Sequence, residues 1–173
     1  ETTANALSWS TYLLARHPQV AERLAEESRA VLGGRPPTFA DLEHLGYAKQ
    51  VFLECMRLYP PAYSVGRESV EPVAVGGHEI PAGVNLMLSI YLAHRRAETY
   101  PEPASFKPER FLGAKVDPNA WFPFGGGVRR CIGVPFALYE MKVVLAQLLL
   151  GARFRLAAPA KPVRRGVTLA PTG

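Results

Sequence analysis

Cysteine is scarce in this chain of 173 residues, which contains only Cys55 and Cys131. Two cysteines cannot form a disulfide framework, and without a CxxC pair the spacing of a zinc-binding module is missing. Apolar runs are also short, because the longest one, 143–150, contains Gln147, whereas a membrane span needs roughly 18 apolar residues. These absences exclude a scaffold held by disulfides or zinc, and we expect that the chain as given does not cross a membrane.

Complete nucleotide-binding motifs are absent as well. The glycines at 125–127 are not followed by the Gly-Lys-Ser/Thr of a phosphate loop, and no GxGxxG is completed. Lys and Arg outnumber Asp and Glu by 20 to 15, a net charge of +5. The basic residues are scattered and do not alternate with aromatic ones, so we expect no nucleic acid partner.

The composition is that of an ordinary globular domain, with 48% hydrophobic and 20% charged residues. The chain begins with Glu1 rather than Met, and nothing in it resembles a signal peptide. We therefore expect a piece of a longer protein. We also expect a cytoplasmic location, with a membrane anchor upstream of Glu1 as the open alternative.

Hydrophobic periodicity predicts four long helices. A proline lies at one end of each, where its fixed φ and missing N–H are tolerated or end the helix. The predicted helices are residues 2–16, 18–32, 47–59 and 136–150.

Extended segments are predicted between the third and fourth helices. Residues 73–75 and 80–88 flank the turn signal Gly76-Gly77 and predict a β-hairpin. Residues 100–127 are rich in Pro, Phe and Gly without a period, which predicts a long ordered loop. The predicted fold class is therefore mainly α with a small β-sheet (α+β).

The most specific segment is FGGGVRRCIG, residues 124–133. Its three glycines let the backbone turn tightly and approach a flat ligand closely. Cys131 precedes a helix whose first N–H groups favour negative charge, and Arg129 and Arg130 add positive potential, so a thiolate is favoured there. The alternative for Cys131 is a buried, inert cysteine in a glycine-rich loop. Cys55 lies on the buried face of the third predicted helix, and we interpret it as a core residue.

This segment resembles the proximal loop of the cytochrome P-450 family, which reads FxxGxRxCxG. The matching residues are Phe124, Gly127, Arg129, Cys131 and Gly133. The resemblance implies that Cys131 is the axial ligand of the iron of haem b (iron protoporphyrin IX) and that Phe124 shields the thiolate. It also implies that Arg129 pairs with a haem propionate and that Gly125 is part of the cradle.

Two further motifs of the family occur in the expected order. Glu54 and Arg57 form ExxR on the third helix, and Pro108–Phe111 reads PERF, which contains Arg110. The resemblance implies a structural network of Glu54, Arg57 and Arg110 that locks the cysteine loop. On its own, the Glu54–Arg57 spacing is also typical of a solvated salt bridge.

The chain opens with Glu1 and Thr2, which resemble the acid–threonine pair of the family's distal helix. The resemblance implies that the two residues relay protons during oxygen activation. The alternative for Thr2 is an ordinary helix cap.

Three positions between the motifs are candidates by resemblance. Arg67 is either a propionate-binding residue or an exposed arginine on a strand, and Ala62 and Val65 would line the substrate pocket. His94 is interpreted as a packed or capping histidine rather than a ligand.

Basic residues could attract an acidic redox partner, a ferredoxin or a flavoprotein reductase, to the cysteine side. Each could equally be a solvated surface charge. The candidates are Arg95, Arg96, Lys107, Lys115, Lys142, Arg129 and Arg130.

The resemblance covers nearly the whole chain and implies that residues 1–173 are the C-terminal, haem-binding part of a cytochrome P-450 domain, truncated at both ends. The last residues, VTLAPTG, resemble the start of the family's final hairpin without its return strand. The implied activity is that of a monooxygenase that oxidises a small apolar substrate. Two alternatives stay open: a peroxide-using or isomerising haem-thiolate enzyme, and a non-catalytic fragment that lacks haem and self-associates.

Overall fold

The computed structural model describes residues 1–113 and 116–172. Five α-helices account for most of its regular structure, which confirms the predicted fold class. Short 3-10 helices cover Phe39–Glu43, Pro108–Phe111 and Gly127–Arg129. The α-helices are α1 (Thr2–Arg16), α2 (Pro18–Leu32), α3 (Gly46–Leu58), α4 (Ile90–Ala93) and α5 (Val134–Gly151).

The strands form three separate antiparallel pairs rather than one small sheet. They are β1 (Ser64–Glu68) with β4 (Asn85–Ser89), β2 (Val73–Val75) with β3 (His78–Ile80), and β5 (Pro162–Arg165) with β6 (Thr168–Pro171). The prediction that residues 80–88 form one extended stretch was wrong, because a turn divides them between β3 and β4. In this turn Gly83 has a φ of 77°, and the Ser69 hydroxyl donates to the Pro81 carbonyl.

The end of the chain also differs from the prediction. Thr168–Pro171 was expected to start a hairpin, but it is the second strand of one and pairs with Pro162–Arg165. The backbone N–H of Leu169 also donates to the Pro61 carbonyl, and the Trp9 indole donates to the Leu169 carbonyl at 3.2 Å. This hairpin therefore packs against α1 and the chain that follows α3. Gly173 lies outside the described residues.

The core lies between α1, α2, α3 and α5. Trp9, Leu24, Phe52 and Leu145 are all at most 1% exposed, and the Trp9 ring stacks on Tyr59 with 3.8 Å between ring centroids. Large apolar side chains in this position supply the main driving force for folding. The core places the first residue of α1, the end of α3 and the start of α5 on one side of the molecule.

Helix α5 is mostly apolar, and its charged or amide side chains are Glu140, Lys142 and Gln147. Among the described residues it is the one helix that is long and apolar enough to cross a membrane by length and composition, and 22% of its 18 residues are buried. Because the helix includes Glu140 and Lys142, its longest apolar run is still residues 143–150, and the expectation that the chain does not cross a membrane stays a prediction. The helix packs against α2 and α3, and Met141 and Leu145 are buried in the core.

The N-terminus of α3 is capped by a side chain from another helix. The Glu27 carboxylate of α2 accepts hydrogen bonds from the backbone N–H groups of Tyr47 at 2.6 Å and Ala48 at 2.8 Å. The first N–H groups of a helix have no partner within the helix, and a negative charge there is favourable. Glu27 therefore joins α2 to α3 at the end of α3 that lies opposite Arg57.

The other end of α3 contains a buried ion network. Glu54 and Arg57 are both fully buried, and the Arg57 Nε lies 2.7 Å from the Glu54 Oε2. The Arg110 Nε lies 3.1 Å from the Glu54 Oε1, and the backbone N–H of Lys107 donates to the same oxygen. The 3-10 helix of the PERF segment is thus joined directly to α3.

The two arginines also bind the irregular chain between β4 and the PERF segment. Arg57 donates to backbone carbonyls of three residues and Arg110 to those of two. A planar guanidinium offers five donors in fixed directions, which a lysine ammonium cannot replace. The carbonyls belong to His94, Pro103 and Ser105 for Arg57, and to Pro101 and Glu102 for Arg110.

We expect the Glu27→Ala substitution to lower the free energy of unfolding by about 1–2 kcal/mol, the usual cost of losing a helix cap. Urea unfolding followed by circular dichroism measures this change. The control is Glu26→Ala, an exposed neighbour on the same helix for which we expect less than about 0.5 kcal/mol. Equal effects of the two substitutions would contradict the capping role.

We expect Arg57→Lys to lower the free energy of unfolding by about 3–5 kcal/mol, because Glu54 and the three carbonyls lose donors inside the protein. Arg96→Lys is the control, since Arg96 is exposed and pairs with Glu98 at 3.6 Å. Chemical denaturation of both variants gives the comparison. A cost for Arg57→Lys as small as that of the control would show that the network contributes little.

Candidate functional site

The loop before α5 is closed by its own backbone. The N–H of Cys131 donates to the Phe124 carbonyl at 3.0 Å, and the N–H of Gly125 donates to the Phe122 carbonyl at 2.9 Å. Gly125 and Gly127 have φ values of 71° and 63°, a conformation that side chains disfavour. These two glycines are therefore required by the backbone of the loop.

Cys131 is exposed at the end of this loop. It lies two residues before Gly133, which is the N-cap residue of α5, and a Cβ atom at Gly133 would lie 3.6 Å from the Cys131 Sγ. The side chain of Phe124 is half-buried, and its ring meets that of Trp121 at 6.0 Å between centroids. The sulfur thus lies beside the N-terminus of a long helix, with an aromatic ring in the same loop.

A cavity of about 460 Å³ lies over this loop. Its size is within the range of sites that bind cofactors and organic ligands. Its walls come from the start of α1, the end of α3, β1, the cysteine loop and the start of α5. The lining residues are Thr2, Thr3, Met56, Pro61, Ala62, Val65, Arg67, Ile90, Pro123, Phe124, Gly125, Arg129, Cys131, Gly133, Phe136 and Ala137.

The cavity brings together most of the residues singled out from the sequence. It contains Cys131, Phe124, Gly125, Arg129, Gly133, Arg67, Ala62, Val65 and Thr2. Gly127 and Glu1 do not line it. Glu54, Arg57 and Arg110 do not line it either, and they belong to the buried network described above.

Two arginines give the cavity positive charge. Arg67 is on β1 and Arg129 is in the cysteine loop, and neither forms an ion pair within residues 1–113 and 116–172. The Arg67 Nη1 donates to the Gly66 carbonyl at 2.7 Å. Cations without a protein counter-charge, next to apolar walls, suit a ligand with anionic groups at its edge.

The first two residues are placed differently from each other. Thr2 begins α1 and lies on the cavity wall, whereas Glu1 is the N-cap residue of this helix and its carboxylate accepts a hydrogen bond from the Thr168 hydroxyl at 3.3 Å. Thr3 also lines the cavity and was missed by sequence reasoning. Since Thr3 directly follows Thr2, its hydroxyl could have been considered from the sequence.

Phe136 was also missed. It lies in the first turn of α5, is 65% exposed and lines the cavity. An apolar residue in the first turn of an apolar helix gives no local signal that separates a ligand-facing position from a core position. Only the tertiary structure distinguishes it from Met141 and Leu145, which are buried in the core.

Several basic residues expected to attract a partner are engaged elsewhere. The Arg95 guanidinium stacks on the Tyr91 ring at 3.6 Å and donates to the Leu58 carbonyl, and burial lowers its pKa. Lys142 donates to the Leu42 carbonyl, and burial likewise lowers its pKa. The expectation that these two are free surface charges was wrong.

The remaining basic candidates differ in exposure and pairing. Lys107 pairs with Glu102, and Arg96 with Glu98. Arg129 and Arg130 are exposed and, in the described part of the chain, form no ion pair. Lys115 lies outside the described residues.

Cys55 and His94 are buried, as expected for packed residues. Burial raises the pKa of the Cys55 thiol to about 12, so this cysteine stays protonated. Burial lowers the pKa of His94 to about 4, with the charges of Arg57 and Arg95 acting in the same direction. The His94 ring accepts a hydrogen bond from the backbone N–H of Phe122 at 3.0 Å.

The residues of the cavity fit haem. The group is a flat apolar macrocycle with two anionic propionates and an iron that a thiolate can ligate. The cavity has apolar walls, two arginines without counter-charges, and a cysteine in a glycine-rich loop. The donor set is thus chemically matched to this cofactor.

The family model for cytochrome P450 matches residues 1–166 of the chain. Cyclooctatin synthase of Streptomyces melanosporofaciens is 40% identical over 151 residues, covering 86% of this chain and 33% of that protein. Taurochenodeoxycholic 6 alpha-hydroxylase of Sus scrofa is 43% identical over 160 residues, covering 91% and 31% respectively. Putative cytochrome P450 135B1 of Mycobacterium tuberculosis is 42% identical over 149 residues, covering 86% and 30%.

The chain spans about a third of the length of these curated relatives. The match itself extends over nearly all of the chain and includes the network of α3, the PERF segment and the cysteine loop. The chain therefore belongs to the cytochrome P450 family.

Proposed function

We propose that residues 1–173 are the C-terminal, haem-binding part of a cytochrome P450 monooxygenase that oxidises a small apolar substrate. One observation carries this proposal. A single cavity combines Cys131, two arginines without counter-charges and the first threonine of α1. When bound, haem would supply a redox-active iron for oxygen activation.

Cys131 would hold the iron through its sulfur. The proposal is supported by its exposure to the cavity and by the adjacent N-terminus of α5, whose N–H groups favour a negative sulfur. Phe124 would exclude water from the sulfur with its ring. The hydrogen bond from the Cys131 N–H to the Phe124 carbonyl keeps the two residues in a fixed relation.

Arg67 and Arg129 would orient the macrocycle by pairing with its propionates. They reach the cavity from β1 and from the cysteine loop, so the two contacts come from different structural elements. A guanidinium binds a carboxylate through two parallel hydrogen bonds, which fixes direction as well as charge.

Thr2 would hold a proton at its hydroxyl on the cavity wall. Its Oγ1 can donate a hydrogen bond to an oxygen in the cavity and accept one from water. Glu1 is exposed at the same helix end and could return a proton to that water. The hydrogen bond from Thr168 to Glu1 supports a fixed position for this carboxylate.

Apolar side chains on the cavity wall suggest where a substrate binds. Ala62, Val65 and Ile90 offer apolar contacts to it. Arg129 and Arg130 are the exposed cations next to the cysteine, and we propose that they attract an acidic ferredoxin or flavoprotein reductase. Because α5 packs against α2 and α3, we propose that it is a core helix and that this part of the protein is cytoplasmic.

Haem binding by the whole protein of which residues 1–173 are proposed to form a part tests the role of Cys131. We expect a thiolate-type spectrum, with a red-shifted band in the reduced carbonyl complex, and we expect Cys131→Ser to abolish that band. Cys55→Ser is the control, because this buried thiol is far from ionisation, and we expect it to keep the band. Loss of the band in the Cys55 variant alone would reverse the assignment.

The two arginines give a second test. We expect Arg67→Ala and Arg129→Ala each to weaken haem affinity about tenfold, the value of one charge-assisted hydrogen bond of about 1.5 kcal/mol. Arg96→Ala, an exposed arginine outside the cavity, should leave the affinity unchanged. Added salt should weaken haem binding more in the unsubstituted protein and in Arg96→Ala than in the other two variants. If salt weakens haem binding equally in all four, the two arginines do not pair with the propionates.

A further inference from the structure

Three consecutive residues of the segment that enters the cysteine loop are each held by a separate hydrogen bond. We call residues 120–122 the entry segment. Its partners lie on α3 and in the chain that follows α4. The bonds run from the Tyr100 hydroxyl to the Ala120 carbonyl at 2.9 Å, from the Trp121 Nε1 to the Leu53 carbonyl at 3.0 Å, and from the Phe122 N–H to the His94 Nε2 at 3.0 Å.

His94 connects the entry segment to the buried network. Its carbonyl accepts a hydrogen bond from the Arg57 Nη1 at 2.8 Å, while its ring accepts the one from Phe122. The residue is fully buried, and its ring packs edge-on against Phe122 and Tyr100. One residue therefore links Arg57 to the backbone two positions before Phe124.

The chain of backbone hydrogen bonds continues to Cys131. The Phe122 carbonyl accepts from the Gly125 N–H, and the Phe124 carbonyl accepts from the Cys131 N–H. Displacement of Phe122 would therefore be transmitted through a tight loop to the cysteine. The loop contains three glycines in succession, which have no side chains to pack, so its conformation depends on these hydrogen bonds.

The ring must be in one tautomer to act in this way. A backbone N–H can only donate, so the Nε2 must carry its lone pair and the proton must be on Nδ1. The Nδ1 is buried and has no hydrogen-bond partner among the described residues. An imidazolium would place an N–H against the Phe122 N–H and break the contact.

We propose that His94 is a positioning residue, whose neutral ring fixes the entry segment and thereby the cysteine loop. The effect on Cys131 rests on the proposed function, because that function makes Cys131 the iron ligand. The anchoring of Phe122 by His94 does not depend on haem.

The charges around His94 favour the neutral ring. Arg57 and Arg95 are the cations beside it, Tyr100 contacts its ring, and Glu54 is paired with Arg57. Burial, with the two cations, lowers the pKa of His94 to about 4. The unfolded chain, with a pKa near 6.5, then binds more protons than the folded one between pH 6.5 and 4. Stability from this residue is present above pH 6.5 and is lost as the pH falls through this window.

Nuclear magnetic resonance of the ¹⁵N-labelled chain without haem tests the tautomer. We expect the His94 ring to show the Nδ1–H form unchanged from pH 7 to pH 5, and the spectrum of the His94→Gln variant assigns its signals. A His94 ring that carries its proton on Nε2, or that gains a second proton between pH 7 and pH 5, would overturn the proposal.

Amide hydrogen exchange tests the anchor. We expect His94→Phe, which keeps a ring but removes the acceptor, to accelerate exchange at the Phe122 amide on the order of tenfold. His94→Gln keeps an acceptor and should restore most of the protection. The Tyr59 amide, which donates to the Cys55 carbonyl, reports global stability. Equal acceleration at Tyr59 and Phe122 would mean that His94 acts only through general stability and would refute its positioning role.

The haem spectrum tests the consequence. We expect His94→Phe to lower the fraction of haem with the thiolate-type band, and His94→Gln and His78→Gln to leave it near that of the unsubstituted whole protein. An unchanged fraction in His94→Phe would refute transmission to Cys131. If the whole protein showed no thiolate-type band at all, the proposed function would fail, while the tautomer and exchange measurements would still decide the anchor.

Discussion

The cysteine side of the molecule depends on the ion pairs of the buried Glu54 carboxylate. Arg57 balances its charge from within α3, and Arg110 forms a second ion pair with it from the PERF segment. The two guanidinium groups then satisfy five backbone carbonyls in a stretch without regular structure. The three carbonyls that bind Arg57 are buried or partly buried and need such partners, so Glu54 helps to order this irregular segment by holding the arginines in place.

Periodicity was sufficient for the long helices and for the face of α3 that carries Glu54 and Arg57. Arg110 follows more than fifty residues later, and no local pattern joins it to Glu54, so its placement came from the family resemblance alone. The pairing of β1 with β4 was missed because register between distant strands depends on tertiary packing. Burial of Arg95 could have been suspected from Tyr91, which lies four residues earlier on α4 and stacks with Arg95 just after the end of that helix.

The candidate site also combines residues that a local motif identifies with residues that only the tertiary structure brings together. Cys131, Phe124 and Arg129 lie within one loop and could be recognised by motif, whereas Met56, Ile90 and Phe136 reach the cavity from three different helices. Each of these three is an apolar side chain in an apolar helix, and the sequence has no local feature that separates cavity walls from core. His94 is a similar case, because its acceptor role depends on a backbone N–H twenty-eight residues away.

The capping of α3 by Glu27 has a consequence for how this part of the chain folds. Because the first turn of α3 takes its hydrogen-bond acceptors from α2, the turn cannot reach full stability until α2 has docked. Docking of α2 and formation of the first turn of α3 are therefore coupled, and these two parts should open together. The far end of α3, fixed by Glu54 and Arg57, is free of this dependence, so a partly unfolded chain can lose the beginning of the helix and still retain the ordered backbone that leads to Cys131.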